Sequence, residues 1–442
     1  MKKYKKYKPT NIDWIGDIPE HWEVKKIKHN CYVKARVGWK GLKSDEFLSE
    51  GYSYLVTGQD FKNDVVNWKE CYFVDKNRYE DDPYIQLVED DLLITKDGTI
   101  GKLAIVKNID KPACLNSGIF VVRSLNNSLK TDFLFWILKS KIFTQFNDFT
   151  SYGSTIQHLY QNVFVEFSHP LPKENEQTFI ANYLYKKTQE IDQLIEDKKQ
   201  LLELFEEEKK AVTSQAVTKG LNPKTEFRNS GIEWIGNIPK HWKLKKLKYL
   251  GKVQTGRTPK IQSSKIDYFE NGKINWFTPS DFKSNKEVFK SKRRIIEEAV
   301  HQNEVELFPE NSIYLVSIGA TLGKISYCSE KASANQQINV ISFYQEICNS
   351  MYGYFYLIAC KDILLLEADY TTLPILNQSK TKNLDFAVPP IEEQKEIVNF
   401  IQKETKIIDS KIKKTKKLID LLTEYRSALI SDIVTGKVNV IE

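Results

Sequence analysis

Between Pro172 and Gly220 the chain holds no proline or glycine, and Glu, Lys, Gln and Leu dominate, as in a long helix. Within that span apolar residues recur at heptad spacing, at Leu184, Ile191, Ile195, Leu202, Phe205, Val212 and Ala216. A single such stripe would be ordinary in a long helix, but a second lies 217 positions further on, as Ile401, Ile408, Ile412, Ile419, Leu422, Leu429 and Ile433. The polar interruptions recur too, Thr188 with Thr405, Lys198 with Thr415 and Lys209 with Arg426. Each stripe predicts a helix of about 45 residues, roughly 65–70 Å long at 1.5 Å per residue. Neither helix can bury its stripe alone, so an antiparallel pairing of the two is expected, as a spacer rather than a catalytic element. The stretches ahead of the helices differ in pattern. Short apolar runs, LLIT and LAIV around GTIGK, IYLV and ISYC around ATLGK, predict strands joined by glycine-bearing turns.

The duplication extends well beyond the helices. NIDWIGDIPEHWEVKKIK (Asn11–Lys28) is answered by GIEWIGNIPKHWKLKKLK (Gly231–Lys248). TGQDF pairs with TPSDF, GTIGK with ATLGK, ACLN with ASAN, PKENEQ with PPIEEQ and AVTKG with IVTGK, all in the same order and at offsets between 217 and 222. Such drift is that of two homologous copies with small loop changes. Each copy runs opening motif, β-rich body, proline break and long helix. The expected division is a body over 1–171, a helix over 172–219, a second body over 220–388 and a second helix over 389–442. The fold class expected is α+β, with two α/β bodies at opposite ends of a coiled-coil-like antiparallel two-helix spacer and a pseudo-twofold internal repeat.

Hydrophobic content of 41% with 12% aromatics supports folded domains. No apolar run approaches the roughly 18 residues of a membrane span, and the basic start MKKYKKYKP leads into no apolar stretch, so neither anchor nor signal peptide is expected. The six cysteines are scattered without a CxxC, which fits reduced, buried thiols and a cytoplasmic location. Net charge is +7; Glu174–Thr218 carries −4 and Ile391–Thr435 carries +1, so the bodies hold +10. A basic excess confined to the bodies suggests an acidic partner such as nucleic acid.

Catalytic motifs are wanting. A phosphate loop would need glycine where Lys96 and Ile318 stand, and Ser or Thr where Leu103 and Ile325 stand. DDPY (81–84) lacks the second proline of the amino-methyltransferase motif, and no glycine-rich cofactor loop precedes it. The six histidines do not cluster at ligand spacing, so no metal site is expected; His21 and His241 read as structural. Two basic bodies on a spacer suit recognition of two separated DNA elements at once, with affinity raised by effective concentration.

WIGDIPEHW and WIGNIPKHW, FTPSDF, PLPKENEQ and VPPIEEQ, and AVTKGL and DIVTGK resemble the specificity subunit of type I restriction–modification enzymes, in order and over the whole chain. The resemblance implies two target recognition domains, each binding one part of a split site in double-stranded DNA. It implies helices that set the spacing and dock two modification (methyltransferase) subunits, with restriction subunits joining through the complex. The chain itself would be non-catalytic and bind no cofactor. S-adenosylmethionine, ATP and magnesium would reside on partner subunits, which methylate an adenine flipped from each half-site and cleave DNA. TGQDF departs from the proline-containing form, and SYGSTIQHL (Ser151–Leu159) is only loosely answered by DYTTLPIL (Asp369–Leu376), so no common base-reading code is expected. The alternatives are a methylation-only complex and a non-DNA coiled-coil adaptor; the latter leaves the basic bodies unexplained.

Phosphate contacts call for Lys and Arg, and base contacts for a few polar side chains. With only eight arginines against 57 lysines, those in the bodies stand out. Arg36, Lys40 and Lys43 lie in ARVGWKGLK, Arg257 and Lys260 in TGRTPK, and Arg293 and Arg294 in KSKRR. Each is a DNA-contact candidate against the plainer reading of a solvated charge. Lys102 and Lys324, at matched turns, are phosphate candidates; Gln59 and Ser280 could read bases or cap their turns. Trp14, Trp22, Trp234 and Trp242 read as core anchors.

Overall fold

The two heptad stripes fold as continuous helices, Glu174–Lys219 and Ile391–Val434, in a computed structural model of the chain. The structure describes residues 2–36, 41–125, 128–150, 158–260, 267–282, 288, 290–370 and 373–441, apart from the side chains of Ser44 and Tyr370. Pro172 and Pro390 precede the helices, and Gly220 and Gly436 follow them, both in the left-handed region at φ 72°. A Cβ at Gly436 would also collide with the Pro19 ring, so glycine is required there twice over.

Two compact units divide the chain, Met1–Lys199 with Lys417–Glu442, and Gln200–Lys416, so each holds part of both helices. In the first unit the Gly436 end lies against Trp22, which bonds Glu176, while Arg426 meets Asp192. In the second, Lys209 donates to Asp409 at 2.6 Å and Lys411 lies 3.7 Å from Glu208. Rising positions on one helix meet falling positions on the other, so the helical segments within each unit run antiparallel, as the stripes require. Leu184, Ile191, Ile401, Ile408, Ile412 and Leu429 are buried. Ile195, Leu202, Phe205, Val212, Ile419 and Leu422 are half-buried, so none of these stripe residues stands in open solvent.

One strand order occurs in both units. Cys31–Lys34, Ile119–Ser124, Leu92–Thr95 and Leu103–Ile105 lie side by side and antiparallel in the first. Gly251–Thr255, Ile338–Phe343, Ser312–Val316 and Ile325–Cys328 repeat that order in the second. In the first unit Val65–Val66 and Phe61–Lys62 extend that sheet. Beside each lies a three-stranded sheet with one parallel pair: Ala113–Leu115, Ser53–Val56 and Tyr72–Val74, matched by Ser333–Ala334, Ile274–Phe277 and Arg293–Ile295. Leu92–Thr95 and Ser312–Val316 are buried along their whole length, which is why they read as continuous apolar runs. Helices Thr131–Lys139 and Lys141–Thr150 join the first core, and Ser350–Ala359 and Lys361–Leu366 the second.

The repeated opening phrase is the socket for the first turn of each long helix. Trp22 and Trp242 are buried. The Trp22 indole N–H donates to Glu176 Oε1 at 2.9 Å, and His21 Nε2 lies 3.1 Å from Oε2. Trp242 and His241 treat Glu393 alike, at 3.1 and 2.8 Å. Next along each helix, Gln177 donates to the Pro172 and Ser128 carbonyls, and Gln394 to those of Pro389 and Ile347. A carboxylate in the first turn also meets the positive end of the helix. All six cysteines are buried and outside any disulfide, and burial pushes the Cys31 and Cys360 thiols up to about 12. Among the described residues no helix is long and apolar enough to cross a membrane.

Candidate nucleic-acid interface

Two matched turns leave one polar residue outside. In TGQD, Asp60 Oδ2 accepts from the Thr57 backbone at 2.6 Å and from its hydroxyl at 2.9 Å. In TPSD, Asp281 accepts from Thr278 at 2.7 and 2.8 Å. The acid turns inward, and burial pushes the Asp60 carboxyl above its usual range despite the Thr57 bonds. Gln59 and Ser280 stay exposed.

Facing these turns are the glycine-bearing ones. Gly98 and Gly101 have φ of 70° and 79°, and Gly319 and Gly323 of 93° and 81°. Lys102 and Lys324 follow, both half-buried. Lys102 Nζ donates to the Gly58 carbonyl at 2.8 Å, and Lys324 Nζ to the Phe282 carbonyl at 3.0 Å. Each lysine thus ties its turn to the neighbouring T-x-x-D turn. In the first unit these turns border a cavity of about 620 Å³, lined by Thr57, Gln59, Thr95, Asp97, Lys102 and Asn116 among others.

The remaining cations are placed unequally. Arg36 is buried; its Nε donates to the Leu115 carbonyl at 3.0 Å, and Nη2 lies 3.5 Å from Cys114 Sγ. The guanidinium is turned toward the core and braces the strand Ala113–Leu115. Lys40 lies outside the described residues. Lys43 is exposed, its backbone N–H bonded to Glu46 at 2.7 Å. Arg257 is exposed and held by the Asn303 carbonyl at 2.9 Å and Glu306 at 3.3 Å. Lys260 is exposed, with its backbone N–H on Glu304 at 3.0 Å.

Arg293 and Arg294 are exposed on Arg293–Ile295. The Arg293 guanidinium carbon stands 3.5 Å from the Phe269 ring centre and 5.4 Å from that of Trp276. Stacking fixes the guanidinium plane while leaving its edge donors available. Sequence reasoning passed over Asp97 and Asn116 in the cavity wall. The signal for Asp97 lay in its mismatch between the copies. Among the described residues no group of three or more His, Cys, Asp or Glu is placed to hold a metal.

Two units with one strand order and one clamped helix, but different exposed turns, define a duplicated recognition protein. A family model described as "Type I restriction modification DNA specificity domain" matches residues 19–204 and again 239–420. The chain belongs to that family and carries its domain twice. It is 30% identical to the type I restriction enzyme MjaIX specificity subunit of Methanocaldococcus jannaschii, over 45% of each chain. It is 24% identical to the putative MjaX specificity subunit of the same organism over 96% of each. A chain from a solved type I R-M system superposes with a TM-score of 0.71 at 13% identity, over 95% of this chain and 99% of that one. The HsdS subunit from Thermoanaerobacter tengcongensis gives 0.60 at 14% identity, over 95% and 98%. These likenesses carry the fold.

Proposed function

We propose that the chain reads a bipartite site in double-stranded DNA, each unit binding one half, for a complex that methylates adenine. The observation that carries this is the contrast within the repeat: frame and helix clamp recur, whereas Gln59 faces out where Ser280 does in the other unit. A duplicated frame with unlike exposed side chains suits two readers of unlike sequence. Lys43, Gln59, Lys102 and Asp97 form the first reading face, and Arg257, Lys260, Ser280, Arg293, Arg294 and Lys324 the second. Phosphate contacts from the cations set affinity, and the polar side chains set sequence.

The long helices fix the separation of the half-sites and dock two modification subunits, and restriction subunits join through these. S-adenosylmethionine, ATP and magnesium reside on those partners, and this chain contributes recognition without catalysis, in the cytoplasm. Support comes from the family match over both copies and from the basic excess in the bodies. The test is co-expression with a modification subunit and single-molecule mapping of methylated adenines. Two short specified segments around an unspecified gap are expected. A single continuous motif, or methylation independent of this chain, overturns the proposal.

A further inference from the structure

One polar pair in the first unit is hydrocarbon in the second. Asp97 stands two positions beyond the strand Leu92–Thr95, and Ile318 two beyond Ser312–Val316. Backbone bonds fix the equivalence. Lys96 N–H donates to the Gly118 carbonyl at 2.9 Å, and Ser317 N–H to that of Gln337 at 2.8 Å. The Lys96 carbonyl accepts from Leu159 N–H at 3.0 Å, and the Ser317 carbonyl from Leu376 N–H at 2.8 Å. His158 therefore answers Ile375. In the second unit Ile318 and Ile375 meet as a backbone bridge. In the first, Asp97 Oδ1 lies 2.7 Å from His158 Nδ1, and Lys96 Nζ donates to Oδ2 at 2.8 Å.

The Asp97–His158 contact has a defined polarity. Burial alone would raise the Asp97 carboxyl, but the Lys96 and His158 contacts outweigh it and hold the group below its usual range. An ionised carboxylate only accepts, so His158 Nδ1–H donates to it and Nε2 is the ring nitrogen left for another partner. No other described residue hydrogen-bonds that nitrogen. His158 is exposed, and Asp97 lines the cavity that Gln59 shares. The acid is thus placed to orient the ring, as a carboxylate fixes a histidine in other sites.

We propose that His158 is a specificity-determining residue of the first unit, its Nε2 hydrogen-bonding a base edge, with Asp97 as the positioning residue. The neutral ring complements adenine N6 or cytosine N4 in the major groove, and the imidazolium complements guanine N7 and O6 or thymine O4. The second unit has Ile318 and Ile375 at this place and must read its half-site with other side chains. The inference rests on the DNA-reading proposal above.

The test is the methylated motif of the complex carrying His158→Ala or Asp97→Asn. One base pair in one half-site should lose roughly tenfold or more in discrimination, at the same position for both variants, with the other half-site and the gap unchanged. A purely structural role would lower methylation without altering one base. An unchanged motif in His158→Ala overturns the inference. If His158→Ala does not fold, Asp97→Ile with His158→Ile imports the second unit's apolar pair. Relaxation at one base then supports the inference, and an unaltered motif sinks it. Failure of the broader proposal is distinguishable, because the unsubstituted complex would then yield no bipartite motif.

Discussion

Arg426 grips Asp192 across the helix seam, with Nη2 2.9 Å from Oδ2 and Nε 2.7 Å from Oδ1. One repeat length away the same relation recurs as Lys209 on Asp409 at 2.6 Å. A guanidinium can grip both carboxylate oxygens, whereas an ammonium acts as a point charge. Both acids are about half exposed, at 52% and 53%, so water and salt screen either pair. Ile408, 2% exposed, is placed to contribute more. Arg426→Ala should cost less than about 1 kcal/mol, and Ile408→Ala about 2–5 kcal/mol. Denaturant unfolding of the two variants ranks them, and the opposite order would show a seam held by charge.

Glu176 is nearly buried and serves Trp22, Tyr4 and His21 together. Glu176→Ala strands the buried indole N–H, for a loss of about 1–3 kcal/mol. Glu393→Ala should act in the same direction through Trp242. Thermal unfolding of both variants checks this, and a neutral result for either would remove the clamp as a stabilising device.

The helices were legible because a heptad stripe is local and its partner was written in the same chain. The stripe residues from Leu184 to Leu429 are all buried or half-buried. The clamp was only half legible. PEHW, PKHW and the repeated Glu-Gln pairs were visible as matched phrases, yet Trp22 and Glu176 stand 154 positions apart and nothing local joins them. Arg36 shows the limit for the site. Loop arginines look alike in sequence, and only the fold turned this one toward the Leu115 carbonyl. Asp97 escaped notice because its meaning depends on His158, brought beside it by the chain's return past Lys96.

His169 is buried, and burial lowers its pKa from about 6.5 to about 4. The ring is neutral when folded and protonates more readily when unfolded. Its contribution is therefore complete above about pH 6.5 and is lost as pH falls from there to about 4. The window corresponds to about 3 kcal/mol at roughly 1.4 kcal/mol per pH unit. The second unit has Phe386 at the matching place, stacked on Tyr356 at 4.2 Å. His169→Phe should flatten the dependence of the unfolding midpoint between pH 6.5 and 4. Parallel pH profiles for the two proteins would refute the assignment.

Arg293 and Arg294 face solvent from one strand, the first stacked on Phe269. Replacing both with alanine should weaken DNA binding by the complex and make the log–log salt dependence shallower by about two, if both meet phosphates. Equilibrium binding at several salt concentrations reads the slope. An unchanged slope would assign these arginines to bases or to neither.

The spacer role makes a geometric demand. Removing 200–206 from the first long helix and 412–418 from the second deletes one heptad from each while keeping the facing register set by Asp192 with Arg426 and Lys209 with Asp409. Each helix shortens by about 10 Å at 1.5 Å per residue, which is about three base pairs at roughly 3.4 Å each. Mapping of methylated adenines should return the same two half-sites with a shorter gap between them. Preserved spacing with altered half-sites would show that the helices take part in reading bases, and the ruler function would then have to be abandoned.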